Sequence, residues 1–165
     1  MEIIYSPTLI PSLKNKHLLL DTNVFRDIAG KPTVFADFFN LLKKEDVTLV
    51  TLDVVKYEIL KGSKDRQKYE EKEKQINAIV DVILPIIPGG DKLIYKLIKQ
   101  YGIDGTAISI TDLFLGATLM QYKKNIFLMT RDTTDFMQNI FQLKFIVNAP
   151  HNKGIFTYGI YQYSE

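Results

Sequence analysis

Apolar residues in this chain fall into two kinds of run. Four are short and unbroken: His17–Leu20, residues 47–51, Ile126–Thr130 and residues 145–147. Leu18-Leu19-Leu20 and Ile126-Phe127-Leu128-Met129 do not alternate with polar residues, which suits strands covered on both faces, as in a parallel sheet. Between these runs the apolar residues recur with helical spacing. Phe35, Phe38, Phe39 and Leu42 stand at i, i+3, i+4 and i+7; Ile76, Ile79, Val80 and Ile83 repeat the spacing, and Leu93, Ile94, Leu97, Ile98 and Tyr101 follow it again. Asp53 is placed to cap a short helix running to Gly62, and Thr111 to cap one running to Lys124. The Pro-Ile-Ile-Pro-Gly-Gly stretch at 85–90 ends one helix and turns the chain into the next. Strands alternating with helices predict an α/β fold with a mostly parallel sheet. The first sixteen residues, with Pro7 and Pro11, and the tyrosine-rich last eleven are expected at the periphery.

Composition removes several function classes. With 46% hydrophobic and 24% charged residues in 165, the chain can bury a core as one domain, and disorder is excluded. There is no cysteine, so a disulfide scaffold is excluded; with only two histidines, most zinc chemistry goes too. The longest apolar run, 79–87, is broken by Asp81 and Pro85 and is too short to span a bilayer. No basic region precedes an apolar stretch at the N-terminus, so a cytoplasmic location is expected, without membrane contact. The charge-rich segment 63–75 mixes both signs, and Glu70 and Lys74, four apart, suit a solvated helix face. A net charge of +2 does not by itself imply a nucleic-acid partner.

The placement of four acids carries more information. Asp21 directly follows the run His17–Leu20, and Asp132 comes two residues after Thr130. Glu58 lies early in the helix after residues 47–51, and Asp112 near the start of an almost wholly apolar helix. In an open parallel sheet the strand C-termini share one edge, and ligands bind in the crevice there. Each acid has a plain reading: Asp21 in a turn, Glu58 on a helix surface, Asp112 and Asp132 as helix caps, Asp135 as a first-turn acid favoured by the helix dipole. For Asp112 the cost of burying an ionised carboxylate makes a bound metal ion an economical partner. Four acids at one sheet edge select Mg²⁺ or Mn²⁺ over zinc, and such ions commonly meet phosphate oxygens. Phosphodiester hydrolysis is the reaction class that follows.

Four segments together resemble the blocks of the PIN domain family. They are Leu18-Leu-Leu-Asp-Thr-Asn-Val-Phe25, Leu52-Asp-Val-Val-Lys-Tyr-Glu-Ile-Leu-Lys-Gly62, Thr111-Asp-Leu-Phe-Leu-Gly-Ala117 and Leu128-Met-Thr-Arg-Asp-Thr-Thr-Asp-Phe136. The resemblance covers residues 17 to about 148 and is nearest to the VapC-like ribonuclease toxins of toxin–antitoxin pairs. It implies a three-layer fold with helices flanking the sheet: an N-terminal extension (1–16), a nuclease domain (17–148) and a C-terminal tail packing on the domain (149–165). It also implies a Mg²⁺- or Mn²⁺-dependent endoribonuclease that cuts RNA by in-line attack of water, leaving a 3′-hydroxyl and a 5′-phosphate. Asp21, Glu58, Asp112 and Asp132 would hold the metal; Asn23 and Thr130 would orient them through hydrogen bonds. Asp135 would join the metal site or cap its helix. A cognate antitoxin and a homodimer are the implied partners. The leading extension, the charged segment and the tail depart from many such toxins, which leaves a stand-alone PIN nuclease as an alternative.

The remaining features divide the same way. Arg131 would reach a scissile phosphate or neutralise the acids. Lys56 and Lys61 would touch RNA backbone or stay solvated. Tyr158, Tyr161 and Tyr163 would stack on bases, pack on the domain or form a dimer contact. His17 and His151 lie far apart with no nucleophile motif, and Gly89-Gly90 is not followed by Gly-Lys-Ser/Thr, so neither a serine triad nor a phosphate loop is supported. A phosphatase of the haloacid dehalogenase class wants an aspartate where this chain has Asn23. Flap-type DNA cleavage by a related fold would need extra elements. A non-catalytic PIN-like module binding RNA or protein is the other alternative.

Overall fold

A computed structural model describes residues 2–101, 108–134, 136 and 139–164. In chain order the elements are β1 (Ile4–Tyr5), α1 (Leu9–Leu13), β2 (His17–Leu20), α2 (Thr22–Gly30), α3 (Pro32–Lys44), β3 (Thr48–Leu52), α4 (Asp53–Leu60), α5 (Arg66–Ile79), β4 (Val82–Leu84), α6 (Gly90–Tyr101), α7 (Ile110–Tyr122), β5 (Ile126–Thr130), β6 (Phe141–His151) and β7 (Gly154–Tyr163). One sheet holds all seven strands in the order β1-β6-β7-β5-β2-β3-β4, flanked by helices. Strands β5, β2, β3 and β4 run parallel. β7, β6 and β1 extend the sheet antiparallel.

The unbroken apolar runs become the strands buried on both faces. Leu18, Leu19 and Leu20 are fully buried, and all five residues of β5 are buried. Chain order reverses around β2: β3 and β4 lie on one side, β5 on the other. Parallel α/β sheets open a crevice at such a switch point, beyond the strand C-termini. Leu20 pairs with Met129, so Asp21 and the residues after Thr130 leave the sheet side by side.

Several expectations need correction. Residues 155–164 are not peripheral, and 149–164 is not a tail laid on a finished domain. β6 runs through His151, and β7 is inserted between β5 and β6 with Tyr158, Ile160 and Tyr161 in the core. Gly159, opposite Thr130, has no room for a side chain: a Cβ there would sit 2.5 Å from the Tyr161 ring. The first sixteen residues also contribute, since Leu9 and Leu13 are fully buried and Ile4–Tyr5 pairs with β6. The helix read through Ile83 stops at Ile79. Val80 turns extended, and Val82–Leu84 pairs with β3, while the Asp81 carboxylate accepts from Leu49 N–H at 2.9 Å and pairs with Lys43 at 3.3 Å. Asp53 lies in the first turn of α4, whose N-cap is Leu52. Ser109 caps α7 in place of Thr111, accepting from Asp112 N–H at 3.1 Å. β3 is shifted one residue from the expected run, and β6 extends well beyond 145–147. α2 begins at Thr22, where Asp21-Thr22-Asn23 has the composition of a turn: the Asp21 side chain caps a helix there. The charged segment does form a helix, α5, with Arg66–Glu70 and Lys68–Glu71 pairs on its surface. No helix among the described residues is long and apolar enough to cross a membrane.

Candidate active site at the parallel strand ends

Asp21 sits where β2 becomes α2. Its backbone N–H reaches across to Met129 of β5 at 3.2 Å. Its side chain caps α2 by accepting from Thr22 N–H at 2.6 Å on Oδ1. On Oδ2 it accepts from the Thr130 hydroxyl at 2.7 Å and from Asn23 Nδ2 at 3.3 Å. Thr130 Oγ1 in turn accepts from Asn23 Nδ2 at 3.2 Å and from Asp132 N–H at 3.0 Å. One fully buried hydroxyl therefore links two of the acids. The carboxylate is 5% exposed. Burial pushes its pKa up; the Thr130 and Thr22 hydrogen bonds oppose this, and the charges of Glu58 and Asp132 add to it.

Glu58, on α4, accepts from the Thr111 hydroxyl at 2.5 Å and faces Arg26 Nη2 at 3.9 Å. Asp112 is buried in the first turn of α7, directly after Thr111. Asp132 closes a local turn, accepting from Thr134 N–H at 3.3 Å and Thr134 Oγ1 at 3.1 Å, and no helix follows it among the described residues. Asp135 lies outside the described residues. The structure thus brings Asp21, Glu58 and Asp132 within electrostatic reach, with Asp112 one residue from the Thr111–Glu58 bond. Among the described residues, no three His, Cys, Asp or Glu side chains converge closely enough to hold a metal ion as they stand. The donor chemistry nevertheless suits a hard divalent cation: the acids are oxygen-only, and the buried one, raised first of all by its burial, also meets the charges of Glu58 and Asp132. Thr22, beside Asp21, is buried with its hydroxyl unpartnered among the described residues.

Three groups escaped the sequence reading. Arg26 is the cation beside Glu58. Asp27, 5% exposed, grips Arg131 through two contacts: Nε to Oδ2 at 3.0 Å and Nη2 to Oδ1 at 3.2 Å. Tyr158 donates its hydroxyl to Asp27 Oδ2 at 2.6 Å, and burial together with that carboxylate drives the phenol far above the ordinary tyrosine range. Arg131 is therefore paired with Asp27, and its guanidinium also lies 4.2 Å from the Phe156 ring centre. A buried acid on an otherwise apolar helix face (Val24, Phe25, Ile28) was the available signal for Asp27. Tyr158 and Tyr161 pack in the core and Tyr163 is partly buried, leaving none of the three as an open stacking platform. Lys56 pairs with Glu73 at 3.8 Å; Lys61 is exposed. A groove of about 390 Å³, lined by Tyr5, Val34, Asp37, Phe38 and Leu41 among others, contains none of the four acids.

No family model matches the chain, and no curated protein matches it. Among solved structures it is similar in fold to a chain of VapBC2 from Rickettsia felis, determined bound to a DNA fragment from the promoter. The superposition has a TM-score of 0.51 at 19% sequence identity and covers 61% of this chain and 78% of that one, a likeness of fold.

Proposed function

We propose that this chain is a Mg²⁺- or Mn²⁺-dependent endoribonuclease with a PIN-like fold, acting in the cytoplasm as the toxin of a toxin–antitoxin pair. The carrying observation is a buried aspartate, Asp21, at the switch point of a parallel sheet and in electrostatic contact with Glu58 and Asp132. The fold likeness to a chain of a toxin–antitoxin complex supports the choice of class. Asp21, Glu58, Asp112 and Asp132 would hold the ion, which when bound supplies Lewis acidity and lowers the pKa of water. Thr130 and Asn23 fix the Asp21 carboxylate, and Thr111 holds Glu58. Arg26, with its side chain 61% exposed beside Glu58, is placed to meet an RNA phosphate. A cognate antitoxin and a second copy of the chain are the proposed protein partners.

The test is cleavage of RNA by the purified protein with Mg²⁺ or Mn²⁺, alongside growth arrest on expression. Both should be lost in Asp112→Asn; undiminished cleavage by that variant would remove the site assignment. Arg26→Ala is expected to weaken RNA binding and flatten its salt dependence, by a slope of about 0.7 if a single phosphate contact is lost. Titration of RNA affinity against salt concentration checks this.

A second reading, a non-catalytic PIN-like module binding RNA or protein, is favoured by the lack of three converging acids among the described residues. A protein that binds RNA equally well with and without divalent metal, and never cuts it, would establish that reading.

A further inference from the structure

The Asp27 cluster lies outside the four acids and takes no part in the chemistry above. We propose that Asp27 is a positioning residue: by gripping the Arg131 guanidinium, it docks the segment after β5 onto α2 and so sets Asp132 beside Asp21. The inference rests on the metal-site reading.

The docking is drawn by hydrogen bonds. α2 begins at the Asp21 cap and carries Asn23 and Asp27 one turn apart, on the same face. Asn23 Oδ1 accepts the Arg131 backbone N–H at 3.1 Å, while Asp27 holds the same residue's side chain with a two-pronged grip. Arg131 is therefore fixed at both backbone and guanidinium. Tyr158, fully buried in β7, donates to the same Asp27 Oδ2 that meets Arg131 Nε and so holds the carboxylate in place. Phe156, also in β7, packs against the guanidinium and stacks on His151 at 3.8 Å between ring centres, with planes 16° apart. One cation thus joins α2, the β6–β7 hairpin and the end of β5.

Asp132 is the next residue. Its N–H rests on Thr130 Oγ1, the hydroxyl that also donates to Asp21. A displacement of Arg131 therefore passes through one peptide bond to Asp132, and through Thr130 to Asp21.

The test compares wild type, Asp27→Asn, Arg131→Ala and the double variant as full chains, by amide hydrogen exchange, Mn²⁺ calorimetry and RNA cleavage. Arg131→Ala removes the partly exposed member of the pair and keeps the test open if Asp27→Asn fails to fold. Faster exchange confined to residues 131–134, roughly tenfold weaker Mn²⁺ binding, and a lower kcat with unchanged KM are expected. The double variant should be no worse than the more affected single one, since each removes the same tether. Arg131→Lys, which keeps the charge without the fork, should restore only part of the loss. Exchange and Mn²⁺ affinity equal to wild type in both single variants would overturn the proposal. If wild type itself binds no Mn²⁺, the metal-site reading fails separately, and exchange at 131–134 still decides whether Asp27 docks the segment.

Discussion

Asp21→Asn is expected to slow RNA cleavage by orders of magnitude while raising thermal stability at neutral pH. The activity loss follows from the central place of this carboxylate among the acids. Losing several kcal/mol of transition-state stabilisation lowers the rate about 10²–10⁴-fold. The stability gain follows from the environment. Burial is the main cause of the raised pKa, and the charges of Glu58 and Asp132 reinforce it, against the opposing Thr130 and Thr22 hydrogen bonds. A carboxyl whose folded-state pKa exceeds its unfolded value gives its full stability below the unfolded pKa and loses it as pH rises through the folded pKa. At neutral pH the ionised Asp21 therefore costs the fold free energy. Asparagine removes the charge and keeps an oxygen to cap α2; it gives up the hydrogen bonds that the second oxygen accepts from Thr130 and Asn23, a loss smaller than the relief of the buried charge, since burial is the largest influence on this carboxyl. The gain in Tm should shrink as pH falls and vanish in the acid range where Asp21 is protonated in both states. Melting curves across pH, with cleavage measured on the same preparations, check both halves. A variant that cuts RNA as well as wild type, or that melts lower at neutral pH, would contradict this account of Asp21.

Deleting residues 154–165 is expected to destroy cooperative folding. β7 lies between β5 and β6, so its loss separates β6 and β1 from the rest of the sheet and exposes an edge of β5. It also removes Tyr158, Ile160 and Tyr161, each no more than 1% exposed. At roughly 1.5–3 kcal/mol per buried side chain, these three alone approach the ~5–15 kcal/mol net stability of a domain. The truncated chain should show no sigmoidal thermal transition by circular dichroism. A soluble truncated protein melting cooperatively near the wild-type temperature would mean that β7 is dispensable.

The contrast between β7 and the parallel strands shows what the sequence could reveal. Leu18-Leu19-Leu20 and Ile126-Phe127-Leu128-Met129 carry their own evidence, because a strand covered on both faces needs an unbroken apolar run. The helical face of α3 is equally self-contained, with Phe35, Phe38, Phe39 and Leu42 all buried. β7 instead mixes glycine, threonine, glutamine and tyrosine, and its burial depends on neighbours far away in sequence. Val80 and Ile83 satisfied helical spacing, yet Val82–Leu84 found a better partner in β3, and pairing across the sheet overrode local periodicity.

The candidate site divides along the same line. The positions of Asp21 and Asp132 were legible because they stand just past the ends of clear strands; Asn23, inside α2, and Thr130, the last residue of β5, came into view only through the family resemblance. Asp27 and Arg131 are 104 residues apart, and Tyr158 reaches Asp27 across 131. No local spacing reports such a contact; only the register that places β7 beside β5 creates it. Thr111 shows the limit of capping rules, since Ser109 closes the helix and leaves the Thr111 hydroxyl for Glu58.

Titration of the purified full-length chain with Mn²⁺, followed by calorimetry in parallel with Asp21→Asn, bears most directly on whether these acids gather around a divalent ion. Saturable heat from wild type and none from Asp21→Asn is the outcome this account requires, with a Tm increase for wild type alone; at a hundredfold excess over Kd the ion would stabilise the fold by about 2.7 kcal/mol. A flat wild-type isotherm, or identical isotherms for the two proteins, would contradict it.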